Sequence, residues 1–259
     1  MTTPELAPFV PLAHRLADAA GAVIAPLFRT PIGVDDKADA SPVTIADREA
    51  ERRMRAIIAA DAPGHGVLGE EHGADRVDAE WVWVLDPIDG TKAFVTGMPI
   101  FGTLIALCHR GEPVLGIIDQ PITRERWFGA RGAGSTWNGR PIRARSCGRL
   151  ADAYMYSTAP SMFEGEDAPR HARLASRVKL ARYGGDCYAA GLVALGFADL
   201  MVEAMLKPYD WCALVPVVEG AGGRVTGWRG ERLGLEGDGR MVAAGDPGLH
   251  ALALEALGA

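Results

Sequence analysis

The stretch Val82-Trp83-Val84-Leu85-Asp86-Pro87-Ile88-Asp89-Gly90-Thr91 decides how this chain is read. Its apolar opening reads as a buried strand, in which Trp81 and Trp83 alternate with Val82 and Val84 as sheet-packing residues. Asp86 and Asp89 follow at its C-terminal end. Pro87 fixes one backbone angle and pushes Asp86 out of the helical region, so the two carboxylates can converge on one point instead of following a regular element. Hard divalent cations take oxygen ligands, and this turn offers two carboxylates and the carbonyl of Ile88. Gly90 allows close backbone approach, and Thr91 opens a short helix over residues 91–95 whose free amides and positive dipole end suit a phosphate. Asp-Pro segments also cap turns, so this stretch alone leaves both readings open.

Two further acidic positions bear on the choice. Glu70, in Gly69-Glu70-Glu71, follows the short apolar strand Val67-Leu68 and could share a cation with Asp86, whereas Glu71 reads as a solvated turn carboxylate. Asp210, in Tyr209-Asp210-Trp211, stands at the start of an apolar helix. There an N-cap and a metal ligand are both open.

Outward from this centre, Leu12, Leu16, Ala19, Ala20, Val23, Ile24 and Leu27 recur at helical spacing and predict an amphipathic helix over residues 6–28. A second helix is predicted over 44–60, announced by Ser41-Pro42-Val43-Thr44, with Asp47, Arg48, Glu51, Arg52 and Arg55 on its polar face and Pro63-Gly64-His65-Gly66 ending it. Short apolar runs at 102–108 and 114–120 predict strands. A loop-rich stretch around Phe163-Glu164-Gly165-Glu166-Asp167 precedes a helix at 188–197, a strand at 199–204, a helix at 212–221 and a strand at 224–226. The order implies mixed α/β layers with an internal seam between Gly129 and Leu150.

The 259 residues, 48% hydrophobic and 23% charged, are those of a globular chain with one large domain or two intimately joined halves. The net charge of −6 is spread without a basic stripe, which argues against nucleic acid as a partner. Cys108, Cys147, Cys187 and Cys212 form no close pair and read as reduced, mostly buried thiols, which favours the cytoplasm. Met-Thr-Thr-Pro-Glu begins the chain without a basic region leading into an apolar run, and no stretch is long and uncharged enough for a membrane. Neither Cys187 nor Cys212 has a neighbouring histidine, and Gly-x-Ser-x-Gly is absent, so no covalent nucleophile is evident. His65 and His72 read as loop residues, since a hard-cation site needs no imidazole.

Val43-Thr44-Ile45-Ala46-Asp47, Gly69-Glu70-Glu71, Asp86-Pro87-Ile88-Asp89-Gly90-Thr91, and Asp210 followed by Ala213 and Glu219-Gly220-Ala221-Gly222-Gly223 resemble the motifs of the inositol monophosphatase superfamily, in family order. The resemblance spans residues from about 10 to 255. It implies a layered αβαβα sandwich over residues 1–259, with two joined halves (about 1–140 and 141–259), and usually a homodimer. It also implies attack of water on a small phosphate monoester assisted by Mg2+, about two or three ions per site, with no covalent intermediate. Carried over by position, Glu70, Asp86, the Ile88 carbonyl, Asp89 and Asp210 match the metal ligands, and Gly90 and Thr91 the phosphate cradle. Glu70 and Thr91 match the pair that orients the attacking water, with Asp47 supporting Thr91.

Within that family, substrate choice lies in Arg182-Tyr183-Gly184-Gly185-Asp186-Cys187 and at Glu203. These runs, with Lys207-Pro208-Tyr209-Asp210 and Ile118-Asp119-Gln120-Pro121-Ile122-Thr123-Arg124-Glu125-Arg126-Trp127, are similar to the histidinol-phosphate phosphatase branch. Asp186 and Glu203 would suit histidinol phosphate, which carries an ammonium and a partly protonated imidazole. Asp186 also reads as an N-cap for the helix after it, and Arg182 either as a phosphate or substrate contact or as a surface arginine paired with an acid. The alternatives are an inositol-1-phosphate or nucleotide 3′-phosphate phosphatase of the same fold, and a non-catalytic regulator that binds a phosphorylated metabolite.

Overall fold

Leu12, Ala13, Leu16, Ala17, Ala20 and Ile24 are all buried at helical spacing and fix α1 (Val10–Ile24) as an amphipathic helix. It is shorter than the predicted 6–28: residues 6–9 form a turn closed by the Phe9 amide on the Leu6 carbonyl (2.9 Å), and residues 25–27 tighten into a 3-10 turn. The computed structural model describes residues 5–31, 33–36 and 42–258. Ser41, read as part of the second helix's start signal, and Met1, Thr2, Thr3 and Pro4 lie outside the described residues.

A hairpin of β1 (Val34–Asp36) and β2 (Pro42–Thr44) leads into α2 (Ile45–Asp61). Thr44 accepts from the Ala46 amide while Asp47 accepts from the Thr44 amide, a capping box that sets the helix start. Asp47 and Glu51, placed on the polar face with Arg48, Arg52 and Arg55, prove to lie on the buried face instead. Both are fully buried, in line with Ala46, Ala50 and Met54.

Then follow β3 (Gly66–Gly69), β4 (Gly73–Asp75), β5 (Trp81–Asp89), α3 (Thr91–Val95), β6 (Gly102–His109), β7 (Glu112–Gln120), β8 (Glu125–Ala130), β9 (Gly134–Trp137) and β10 (Arg140–Ile142). They form an eight-stranded sheet of order β10-β9-β8-β7-β6-β5-β3-β4. β5 continues through Asp86, Pro87 and Ile88 to Asp89, so the aspartates do not leave the strand. They lie where its pairing with β6 shifts register between Asp86 and Asp89, an irregularity that Pro87, with no amide to donate, accommodates.

The second half contributes β11 (Tyr154–Ser157), α4 (Asp167–Ala175), β12 (Leu180–Tyr183), α5 (Asp186–Ala194), β13 (Leu200–Glu203), α6 (Pro208–Trp211), α7 (Leu214–Gly220), β14 (Arg224–Thr226), β15 (Met241–Ala244) and α8 (Pro247–Leu257). Five strands form a second sheet, β12-β11-β13-β15-β14. The helix predicted at 212–221 is the shorter α7, and a separate short helix, α6, ends just before that stretch. Pro216 has no amide for the Cys212 carbonyl and its ring would crowd that group, so α6 stops at Trp211 and α7 restarts with Pro216 in its first turn. The stretch taken as loop-rich gives way to α4 at Asp167.

Strand alternation divides the core. Trp83, Leu85, Ile105 and Leu107 face α1 and α2. Val82, Val84, Leu104 and Ala106 face Cys187, Ala190, Val217 and Val218 of α5 and α7, which also cover Met201 and Met241 of the second sheet. Val202 and Val242 point the other way, onto Leu249 and Ala253 of α8 and Leu174 of α4. The result is the five-layer αβαβα sandwich that the resemblance implies. All four cysteines are free and buried, and among the described residues no helix is long and apolar enough to cross a membrane.

Candidate metal and phosphate site

β3 and β5 run parallel, so their C-terminal ends deliver Glu70, Asp86 and Asp89 to the same edge of the first sheet. β11, β12 and β13 are likewise parallel, and their ends bring Thr158, the start of α5 and Glu203 to face it. Asp210 comes from α6 between them. It is not the N-cap but the third helical residue, and its Oδ2 accepts the Lys207 amide at 2.6 Å.

One carboxylate oxygen from each of Asp86, Asp89 and Asp210 lies within 4.8 Å of the others. Asp86 is 2% exposed, it contacts the carboxyl of Glu70, and its Oδ1 has no hydrogen-bond partner. Burial, then the charges of Glu70, Asp89 and Asp210, hold Asp86 well above the usual carboxylate range. Asp210 is pushed up well above it too, by burial and Asp89. Asp89 rises to about 7, through burial and then the charge of Asp186, against the 2.6 Å bond that its Oδ2 accepts from the Cys187 amide. Three mutually repelling carboxylates around an orphaned buried oxygen fit a hard divalent cation, which would satisfy both the oxygen and the repulsion.

Ile88 is buried and its carbonyl accepts the Thr91 hydroxyl at 3.1 Å. Asp47 lies at the longer distance of 3.5 Å from the same hydroxyl, while its other oxygen takes the Thr44 amide and hydroxyl. Gly90, in the left-handed region with φ +85°, precedes α3. Across from it stands Asp186. A Cβ at Gly90 would lie 2.9 Å from the Asp186 carboxyl carbon, so Gly90→Ala both strains the backbone and displaces Asp186. A loss of about tenfold or more in phosphate release is expected from that variant, with folding retained in circular dichroism. Full activity would mean that this close approach is dispensable.

Asp186 opens α5 with Gly185 at the N-cap, so the N-cap reading is corrected. Its φ of +41° is a left-handed conformation that Asp tolerates better than most residues. Burial raises it to about 6, opposed by the charge of Lys92 and a hydrogen bond from Thr158. Glu203 is completely buried and burial, then Asp89 and Asp186, drives it well above the usual range. Its Oε1 accepts the Thr158 amide at 2.9 Å and its Oε2 has no partner. Thr158 thus bridges the two carboxylates. Gly185 is buried against Tyr156 and Ala189. Arg182 is exposed with its guanidinium 5.7 Å from the Tyr156 ring centre, and no acid pairs with it among the described residues.

Lys92 and Thr158 carry no mark in the sequence, Cys187 stands out only as part of the segment before α5, and Glu51 only as a polar-face acid. Only Glu51 had an available signal, four residues after Asp47 on one helix face.

The sandwich thus gathers carboxylates from both of its halves at converging strand ends. The model of the inositol monophosphatase family matches residues 5–259. The chain is 50% identical to the bifunctional phosphatase IMPL2, chloroplastic, of Arabidopsis thaliana over 98% of its own length and 76% of that protein's. It is 34% identical to a histidinol-phosphatase of Chlorobaculum parvum, covering 96% of each. An inositol monophosphatase structure from Zymomonas mobilis superposes with a TM-score of 0.91 at 48% identity, covering 98% of this chain and 99% of that one. The chain belongs to the inositol monophosphatase family. It is a phosphatase of that family, a phosphoric monoester hydrolase.

Proposed function

We propose that the chain is a Mg2+-dependent histidinol-phosphate phosphatase of histidine biosynthesis, converting L-histidinol phosphate and water to L-histidinol and phosphate. The observation that carries the substrate choice is the pair Asp186 and Glu203, a half-buried and a fully buried carboxylate joined through Thr158, with one Glu203 oxygen unsatisfied. A cationic leaving group would keep both ionised and accept charge-assisted bonds from them, which an uncharged polyol would not. The similarity to a histidinol-phosphatase supports the same reading.

In this reading Glu70, Asp86, the Ile88 carbonyl, Asp89 and Asp210 would hold the cations. Bound there, Mg2+ would shield the phosphate charge, make a water more acidic and stabilise the departing oxygen. The chain's own part is positional. Gly90 and Thr91 cradle the phosphate, and Glu70 and Thr91 orient a water in line with the ester bond, Asp47 fixing Thr91 from behind. Asp186 and Glu203 seat the leaving alcohol. The water oxygen bonds to phosphorus, the P–O ester bond breaks, and the water's proton ends on the alcohol. Arg182, exposed beside the Tyr156 ring, is assigned to substrate contact. The reading also takes the chain as one unit of two joined halves and as a homodimer.

Phosphate release from histidinol phosphate, inositol 1-phosphate and a nucleotide 3′-phosphate, with and without Mg2+, tests the proposal. A clear preference for inositol phosphate would end it in favour of the inositol phosphatase reading, which the Zymomonas mobilis structure keeps open. Asp186→Asn preserves side-chain shape and tolerates the left-handed backbone, so it isolates charge. It is expected to lower kcat/KM for histidinol phosphate roughly 10-fold to 30-fold while changing that for inositol phosphate little. Equal losses on both esters would make Asp186 a structural residue.

A further inference from the structure

Glu70 is placed by a three-residue turn between β3 and β4, and the backbone of that turn is gripped from α2. The Glu51 carboxylate, fully buried, accepts the Glu71 amide on Oε2 at 2.8 Å and the His72 amide on Oε1 at 3.1 Å. It also accepts Arg55 Nε at 2.7 Å, and Arg55 in turn donates to the Gly73 carbonyl. The His72 ring lies 3.0 Å from the Arg48 carbonyl. Gly69, which precedes Glu70, sits directly on the acid: a Cβ there would be 2.0 Å from Glu51 Oε1. Asp47, Glu51 and Arg55 follow at four-residue steps on one face of α2. The first faces Thr91 and the other two fasten the turn that carries Glu70.

We propose that Glu51 is a positioning residue for Glu70, and that the Glu51–Arg55 pair sets how tightly the carboxylate site holds its cation. This rests on the reading of Glu70 as a metal ligand and water-orienting group. Two backbone amides and a guanidinium converge on one buried carboxylate. No neutral side chain of that size can accept from all three. Glutamine would turn an NH2 group toward a donor and leave Arg55 without its counter-charge, so the turn would relax and carry the Glu70 oxygens away from Asp86. The partners that orient a ligand are worth about 10-fold to 100-fold in metal affinity or activity.

The test uses the whole protein. Glu51→Gln and Glu70→Gln are compared with the parent by calorimetric titration with Mg2+, by steady-state phosphate release, and by circular dichroism. Glu51→Gln should weaken Mg2+ binding by about 10-fold or more and lower kcat, with KM for the ester nearly unchanged and the far-ultraviolet spectrum retained. Parent-like Mg2+ affinity and kcat in a protein that merely melts earlier would overturn the proposal and leave Glu51 a structural residue. If Glu70→Gln alters neither Mg2+ binding nor hydrolysis, the metal-site reading itself fails. If only Glu70→Gln alters them, the positioning role alone fails. Should Glu51→Gln not be recovered folded, Arg55→Lys carries the same comparison. That side chain is 20% exposed and keeps its charge while losing the fork that reaches both Glu51 and Gly73.

Discussion

Asp89→Asn is expected to reduce phosphate release by more than about 100-fold at saturating Mg2+ if Asp89 is the direct ligand proposed, since such a ligand should exceed the range seen for the groups that merely orient one. The same substitution is expected to stabilise the metal-free protein. Asp89 shares a 4.8 Å cluster with Asp86 and Asp210 and is held at about 7 by burial and by Asp186, so it is folded at a cost that an amide does not incur. Asparagine keeps an oxygen for the Cys187 amide, so the start of α5 stays anchored. A gain on the order of 1–2 kcal/mol, a few degrees in Tm, should appear in the presence of EDTA. Calorimetric melting with EDTA and phosphate release with Mg2+ check both halves. Retained hydrolysis would sink the metal-assisted mechanism, and a lowered Tm would mean that Asp89 contributes more as a cap than it costs as a charge.

The second large effect is in the pH dependence of stability without metal. Asp89 and Asp186 have an ordinary value of 3.8 and folded values of about 7 and about 6. Across that window the folded protein binds protons that the unfolded chain has released, so stability falls as pH rises and the penalty is complete above about 7. Half-buried and buried histidines act in the opposite sense. Burial depresses His14, His65, His171 and His250, the last to about 4, and each favours the fold as pH rises. The histidine contribution is common to metal-free and Mg2+-loaded protein and cancels in their difference. The stabilisation by Mg2+ should therefore grow between pH 5 and pH 8, by on the order of 1–4 kcal/mol. Paired melting curves with EDTA and with excess Mg2+ measure it. A difference that is flat or shrinks with pH would contradict the carboxylate geometry.

Much of the fold was legible because its central strands are buried on both faces and bounded by turns: Trp81–Asp89, Gly102–His109 and Glu112–Gln120 stand out as apolar runs. The carboxylates at the end of β5 were legible for a local reason, since Pro87 and Gly90 punctuate them. The short edge elements were not. β10 and β12 are exposed along most of their length and have no apolar alternation to betray them. The polar surroundings of the site were the least legible. Glu51 reads as a surface acid because its partners are backbone amides twenty residues away, and amides carry no letter in a sequence. Thr158 and Lys92 meet Asp186 only after three separate chain segments have folded together.

The left-handed backbone at Asp186 restricts which residues this enzyme's descendants could carry there. Glycine, asparagine and aspartate enter that conformation most cheaply, and a β-branched side chain would meet strain before it met any ligand. Drift at this position is thus biased toward three residues, one anionic, one neutral and polar, one without a side chain. If Asp186 seats the leaving alcohol as proposed, a lineage leaving a cationic ester for an uncharged one would pass through asparagine or glycine here, and wider variation in preference would have to arise at Thr158 or Glu203.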